Sequence, residues 1–380
     1  MQISDSSTRT DTVGWLDYGA RGIPGVQSTP ADSPPLIFVT GAARSGTTML
    51  SRILGSHSAI MTFNELHYFG SLWDPYDAER EFSGRELAEL AAILLARQTF
   101  GLWSSGPTEV EHAWGRRLVR DLPAEQCTPE GLFAAVVQRL AEDAGKVFAC
   151  EQTPRNIFYA KRLLELYPNA WIVHIVRDPR AVLASQKNRW KLRRMGASHL
   201  PMLEMLRNWV NYHPITMGKL WEKASEEALQ LDSHSRFMIV RFEDLSADPK
   251  GGAQRLCHFL GLQFEHGMLE IPRWGSSNVE HDNEPRGISK DVENKWRKIL
   301  SRGEALICEK TTHRMMQRFG YSTEFLGRYG SLSTVPSLLS YPLHLAGMLA
   351  MNPKRAWIQF QAMRHAKQAG LDTRDKGEDN

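Results

Sequence analysis

Pro35-Leu36-Ile37-Phe38-Val39-Thr40-Gly41-Ala42-Ala43-Arg44-Ser45-Gly46-Thr47-Thr48-Met49-Leu50 is the stretch that decides the fold. Leu36 to Val39 is a short apolar, partly β-branched run and reads as a buried strand. Thr47 to Gly55 continues at helical spacing without a breaker. The loop between them is bracketed by Gly41 and Gly46, which permit backbone conformations that other residues resist. Consecutive N–H groups of such a loop converge at the positive end of the following helix, where an anion is favoured.

The Gly41-x-x-x-x-Gly46 spacing matches a nucleotide P-loop, but Thr47 stands where a γ-phosphate lysine is needed, and the cation sits at Arg44 inside the loop. Composition limits the partners. Forty-six basic and forty-three acidic residues leave +3, too near balance for nucleic acid, so an anion site has to be local. The chain of 380 residues can bury one large α/β core. Cys127, Cys150, Cys257 and Cys308 form no Cys-x-x-Cys pair, so neither a zinc site nor a disulfide framework is expected, and a reducing, cytoplasmic setting fits. Residues 1–34 are polar, without an apolar signal core, and read as a flexible lead-in.

Further strands are expected at Ala59–Phe63, Lys146–Cys150, Ala170–Val176 and Phe237–Val240, giving a mainly parallel sheet of about five strands in a three-layer α/β/α arrangement with helical insertions. Glu65 and His67 follow the second strand, where functional groups of parallel sheets collect, and both are candidate bases. Helices are expected at Ser83–Phe100, Pro129–Ala144, Asn156–Tyr167, Met202–Leu231, Pro249–Leu260, Ile288–Leu300 and Gly303–Phe319. Trp73, Trp103 and Trp114 are read as core in preference to an acceptor wall. The basic run Arg189–Arg194 is read as a solvated face, and Pro272–Gly287 as a loop long enough to be functional. Ser331–Met351 has no formally charged side chain, but its prolines favour two short packed helices over a membrane span. Trp357, Phe360 and Met363 recur at three among cations, so the tail is read as docking on the protein's own core, with peripheral membrane contact as the alternative.

Three segments in this order resemble the sulfotransferases that use 3′-phosphoadenosine 5′-phosphosulfate (PAPS). Gly41-Ala42-Ala43-Arg44-Ser45-Gly46-Thr47-Thr48 resembles their 5′-phosphosulfate loop and Val176-Arg177-Asp178-Pro179-Arg180-Ala181-Val182-Leu183-Ala184-Ser185 their 3′-phosphate motif. Arg241-Phe242-Glu243-Asp244-Leu245 is the third. The spacing is similar to tyrosylprotein-type enzymes and their bacterial relatives, in which the catalytic glutamate lies 21 residues past the loop arginine, the separation of Arg44 and Glu65. The resemblance implies a P-loop-like fold and a PAPS donor without a metal. Arg44, Ser45, Gly46, Thr47 and Thr48 would form the 5′ cradle and Arg177, Ser185 and Arg189 the 3′-phosphate site, with Ser276 and Lys295 closing over the cofactor. Glu65 would be the base, with Arg44 stabilising charge and His67 beside it. The acceptor would be a hydroxyl on protein tyrosine, carbohydrate or a small molecule. Gln152 departs from the family's usual lysine before Thr153-Pro154, with Arg155 or Lys161 as substitutes for the missing cation. A P-loop kinase-like phosphotransferase and a non-catalytic nucleotide-binding relative are the rival readings. Residues 35–325 would be the sulfotransferase domain and residues 326–380 a C-terminal helical extension.

Overall fold

β1 (Leu36–Gly41) lies at the centre of the sheet and is buried along its whole length. The structure, a computed structural model, describes residues 35–76, 80–102, 106–190, 202–271, 295–327, 331–353, 357 and 360. β2 (Ile60–Thr62), β3 (Phe148–Glu151), β4 (Ala170–Val176) and β5 (Phe237–Arg241) complete a five-stranded sheet in the order β2-β3-β1-β4-β5. All four pairings are parallel, with Leu36 opposite Ala149 on one side and Ala170 on the other. The order reverses around β1, so the exits of β1, β3 and β4 open together, where α/β sheets bind ligands.

Alternation along β1 builds the two outer layers. Leu36 and Phe38 face a core that includes Phe69, Phe133 and Tyr167, with the Phe38 ring 5.9 to 6.1 Å from those three. Ile37 and Val39 face the opposite core, against Leu50, Ile53 and Leu256. Leu50 and Ile53 belong to α1 (Thr47–Gly55). Each of these fully buried side chains stabilises the fold by about 1.5–3 kcal/mol relative to exposure. Thr40 and His174, paired across β1 and β4, share a hydrogen bond of 3.1 Å between Oγ1 and Nδ1. Burial drives the His174 pKa down to about 3, so this ring is neutral.

The insertion after β2 holds α2 (Gly84–Phe100), α3 (Glu109–Asp121) and α4 (Pro129–Asp143). The spacing of apolar residues misses α3, whose stripe is thin; Thr108 and Glu111 nevertheless form a capping box that starts it. Trp73 is buried beside Tyr68 and Phe69, and Trp114 packs on the same core, while Trp103 lies outside the described residues. The expected helix at Asn156–Tyr167 is a 3₁₀ turn (Pro154–Tyr159) running into α5 (Ala160–Leu166). α6 (Pro179–Lys187) follows β4 with Pro179 in its first turn, where no N–H is needed.

The long helix expected over Met202–Leu231 is two, α7 (Met202–Asn211) and α8 (Pro214–Gln230). Pro214 cannot donate, and the His213 ring caps the new start by accepting from Ile215 N–H at 3.3 Å. α9 (Phe242–Ala247) and α10 (Pro249–Leu260) follow β5, then α11 (Trp296–Ile299) and α12 (Arg302–Arg318). Two packed helices were expected over 331–351; a single helix, α13 (Val335–Met351), follows a 3₁₀ turn (Ser331–Thr334) instead. Pro336 sits harmlessly in its first turn, the helix carries Pro342 inside it, and none of its residues is buried. All four cysteines are free thiols.

Candidate active site

At the end of β1 the chain turns through Ala42–Ser45, closed by a 3.0 Å bond from Ser45 N–H to Ala42 C=O. Gly46 takes φ +106° as the N-cap of α1, and Arg44 takes φ +78°, rare for a residue with a side chain. Gly41, expected to need unusual backbone freedom, is an extended strand residue. It is required instead by space, since a Cβ there would stand 2.7 Å from Ile175 O. No side chain caps α1 and its first turn has no acid, so its leading N–H groups are presented to an external acceptor. The Ser45 hydroxyl beside them is buried without a hydrogen-bond partner.

Arg177, leaving β4, reaches this loop from the neighbouring strand. Its guanidinium lies 4.3 Å from the centre of the Phe242 ring, and Nη1 donates to Arg44 C=O at 3.4 Å. Trp221 Nε1–H donates to the Arg177 carbonyl at 2.9 Å. Asp178 N–H donates to Glu243 Oε1 at 2.9 Å, and Tyr321 O–H to Glu243 Oε2 at 2.7 Å, so β5's exit buttresses that of β4. Burial lowers the pKa of Arg177, opposed by Glu243, Asp178 and Tyr321.

Arg44 Nε donates to Ser185 Oγ at 3.0 Å, joining the two anion motifs directly. Gln186 Nε2 donates to Ala43 C=O at 3.2 Å, so α6 is held along the loop. Burial, then the charges of Arg189 and Arg177, pull Arg44 down to about 10, and Glu65 opposes the fall. Like charges concentrated this closely repel one another, and an anion between them relieves the repulsion.

Glu65 and His67 meet at 3.0 Å through Oε2 and Nε2. The contact does not come from extended chain, since His67 reaches the position with φ +47°. That strained turn is fixed by His67 N–H donating to Thr153 Oγ1 at 3.0 Å and by Arg97 Nη1 donating to the carbonyls of Leu66 and His67 at 2.5 and 3.1 Å. Burial raises the Glu65 pKa, but the hydrogen bond and charge of His67, with Arg189 and Arg44, outweigh it and hold the carboxyl below its ordinary value. Burial takes His67 below its ordinary value too, against the pull of Glu65, with Arg155 and Arg97 adding to the fall. At neutral pH the pair is therefore an ionised carboxylate accepting from the Nε2–H of a neutral imidazole. The Glu65 side chain is 41% exposed, open enough to meet an incoming group.

Glu151, at the end of β3, organises the floor of this loop. Its Oε1 accepts from Leu66 N–H at 3.2 Å, from Thr153 N–H at 3.0 Å and from the Thr153 hydroxyl, and its Oε2 accepts from Asn156 Nδ2 at 2.7 Å. Burial raises its pKa to about 7 against those hydrogen bonds, with Glu65 adding to the rise.

The structure thus brings Arg44, Ser45, Gly46, Thr47, Glu65, His67, Arg177, Ser185 and Arg189 to one end of the sheet. Thr48 follows on the first turn of α1. Arg189 acts electrostatically on both Arg44 and Glu65, so it lies toward the loop arginine and the carboxylate. Lys295 is exposed at the start of α11, and Ser276 lies outside the described residues. Arg180, in the same motif as Arg177, is buried in an ion-pair cluster with Asp178 and Glu309 and lies 4.5 Å from the centre of the Trp296 ring. Gln152 Oε1 is buried without a hydrogen-bond partner. Near it Arg155 donates to Phe69 C=O at 3.3 Å, and Arg155 and Arg97 both bias His67, so cations are present on this side. Among the described residues no group of three or more His, Cys, Asp or Glu could hold a metal ion.

Sequence reading passed over Arg97 and Glu151 and gave Phe242 and Glu243 no role. The last two stand in a quoted motif, so position at a strand exit was the available signal.

A family model described as the sulfotransferase family matches residues 35–266. The chain is similar to omega-hydroxy-beta-dihydromenaquinone-9 sulfotransferase Stf3 of Mycobacterium tuberculosis, at 30% identity over 157 residues, 40% of this chain and 39% of that protein. It is similar to protein-tyrosine sulfotransferase 2 of Gallus gallus at 23% identity over 259 residues, 67% of this chain and 57% of the relative. The matches therefore span 39% and 57% of those two relatives' lengths. Among solved structures, the sulfotransferase domain from the Synechococcus PCC 7002 olefin synthase superposes with a TM-score of 0.50 at 20% identity, covering 78% of this chain and 99% of that domain.

Proposed function

Because the chain belongs to the sulfotransferase family, we propose that it moves a sulfuryl group from PAPS to a hydroxyl acceptor, with Glu65 as general base. The observation that carries this reading is the 3.0 Å bond from Arg44 Nε to Ser185 Oγ. It joins the loop that fits a 5′-phosphosulfate to the helix that fits a 3′-phosphate, beside an ionised carboxylate. The uncapped first turn of α1, the unpartnered Ser45 hydroxyl and the mutually repelling guanidinium groups all suit an anionic ligand. PAPS would supply the sulfuryl group, whose bond to the phosphate oxygen breaks as the bond to the acceptor oxygen forms.

The loop N–H groups and Arg44 would hold the 5′ end, and Arg177 and Ser185 the 3′-phosphate, since a guanidinium fork matches phosphate oxygens. Phe242 keeps the Arg177 plane fixed from below. Glu65 would take the acceptor's hydroxyl proton at a carboxylate oxygen, oriented by His67 Nε2–H. Arg44 and Arg189 would offset charge developing around the reacting oxygens. The acceptor class is left at a hydroxyl: by their names, the relatives act on a hydroxylated menaquinone and on protein tyrosine.

Calorimetric titration with 3′-phosphoadenosine 5′-phosphate, ADP and ATP tests the reading. The 3′-phosphorylated nucleotide should bind at least about tenfold more tightly than ADP, and Arg177→Ala should cost it about 1.5–3 kcal/mol while leaving ADP nearly unchanged. Equal affinity for the two, or a preference for ATP, overturns the assignment in favour of a phosphotransferase-like nucleotide site.

A further inference from the structure

α7 and α13 carry a surface that none of the site residues uses. Met202, Leu206 and Trp209 form an exposed stripe on α7, and Val335, Leu339 and Leu343 form another on α13, with Leu339 and Leu343 at 74% and 77% exposure. Isolated exposed leucines need no explanation, whereas two apolar stripes on helices in contact do. The helices are held together by other groups. His213 Nε2 lies 2.9 Å from Ser337 O, His344 Nδ1 lies 3.2 Å from Val210 O, and Asn352 Nδ2 donates to Asn211 Oδ1 at 2.8 Å. Gly347 admits Val210, whose Cγ1 would stand 3.0 Å from an added Cβ. The leucine stripes are therefore left over after the helix pair has formed.

Charge identifies what covers them. From Ser331 to Leu371 the sequence has no acidic residue and carries Lys354, Arg355, Arg364 and Lys367. From Pro179 to Pro201, just ahead of α7, it again has no acid and includes Arg189, Lys191, Arg193 and Arg194, while α7 itself carries Glu204 and Arg207. A second copy of the chain would set these cationic segments against each other, at a cost. Anionic lipid headgroups complement them, while leucine, tryptophan and methionine suit the acyl boundary. No helix among the described residues is long and apolar enough to cross a membrane.

We propose that the α7–α13 face docks on an anionic lipid bilayer, lying in the interface without crossing it. Docking also orients the rest of the protein. Tyr212, one residue past α7, donates to Glu304 Oε1 at 2.8 Å, and Lys187, at the end of α6, donates to Glu304 Oε2 at 2.7 Å. The helix that carries Ser185 and leads to Arg189 is thus tied to the docking face.

Full-length protein is sedimented with vesicles of phosphatidylcholine alone and of phosphatidylcholine mixed with phosphatidylglycerol, and light scattering reports its oligomeric state. The protein should pellet with the mixed vesicles, less with neutral ones, and less as salt rises. Leu339→Gln/Leu343→Gln should weaken vesicle partitioning by about tenfold or more with an unchanged thermal midpoint, because both side chains are exposed. Lys354→Gln/Arg355→Gln should lower the preference for anionic vesicles. Wild-type protein that stays in the supernatant with both vesicles overturns the proposal, as does a leucine variant that pellets like wild type. A dimer that the leucine variant dissolves, without vesicle binding, assigns the face to a second copy instead.

Discussion

Glu151→Gln probes the buried carboxyl that holds the base-bearing loop in place, and its effect on stability has a definite sign. In the folded protein burial raises the Glu151 pKa from 4.5 to about 7. Between those values the folded state keeps a proton that the unfolded chain has released, so stability falls as pH rises from about 4.5 to about 7 and levels off above. At about 1.4 kcal/mol per pH unit, this gap amounts to about 3 kcal/mol of stability lost. The hydrogen bonds point the same way. Asn156 Oδ1 is buried without a partner while its Nδ2 donates to Glu151 Oε2. Turning that amide would let a protonated Oε2–H, or the Nε2–H of glutamine, donate to Oδ1. The glutamine oxygen would still accept from the N–H groups of Leu66 and Thr153, so the loop should keep its shape. Urea unfolding of both proteins at pH 5 and pH 8 measures the effect. Wild type should lose about 2–3 kcal/mol more than Glu151→Gln across that interval. An identical pH response of the two proteins refutes the reasoning, because it would mean that Glu151 ionises at the same pH folded and unfolded.

Glu65→Gln should lower turnover by about 10² or more at saturating PAPS, because it removes the base and keeps the shape. Nucleotide affinity in that variant should hold or rise, since a negative charge beside Arg44 is gone. With Glu65 held below its ordinary value, kcat/KM should be flat from about pH 5.5 to 8; an acid limb in that range that His67→Ala abolishes would move the base to His67. Arg180→Ala should cost about 3–5 kcal/mol in thermal or urea unfolding, as Asp178 and Glu309 lose their buried partner, with nucleotide affinity changing less than for Arg177→Ala. Gly46→Ala should weaken nucleotide binding measured by titration, because an L residue at φ +106° is strained and the new Cβ would lie 2.6 Å from Phe242 Cδ2, displacing the ring beneath Arg177.

What could be read from the sequence was local. The β1–loop–α1 unit and the β4–α6 turn are encoded by neighbouring residues, as the apolar run of β4 ends at Arg177 and Pro179 then starts a helix, so these elements fall where the pattern puts them. Glu65 and His67 were legible as neighbours just past the second strand, but the left-handed turn at His67, φ +47°, shows that their side chains do not meet by the alternation of extended chain. What could not be read depends on contacts across large sequence separations. Phe242 lies beneath Arg177 because β5 is parallel to β4 with Arg241 opposite Val176, a register no local pattern states. Gly41 was credited with backbone freedom, yet its reason is the approach of Ile175, 134 residues away. Arg180 and Arg177 look equivalent in a motif with two arginines, and only Glu309 on α12 makes one structural while Phe242 and the Arg44 carbonyl direct the other to the anion loop.

The same distinction separates the two ends of the molecule. In the sheet, several polar residues at the strand exits answer to one another: Thr40 to His174, Glu151 to Leu66 and Thr153, Asp178 to Glu243. Such mutual satisfaction over-determines the strained Arg44 and His67 conformations and keeps the charged groups in place before any ligand arrives, which is where preorganised electrostatic stabilisation comes from. At α13 the balance is reversed, since the helix is apolar without being buried, and its polar groups are spent on the joint with α7. A site finished internally and a face finished only by something outside the described residues make different demands on mutation. Substitutions at the strand exits should move stability, nucleotide affinity or both, whereas substitutions at Leu339 and Leu343 should move neither and should still change where the protein partitions. If exchanging those two leucines for glutamine shifted the thermal midpoint as much as Arg180→Ala does, α13 would have to be counted as core, and the separation between the two ends would fail.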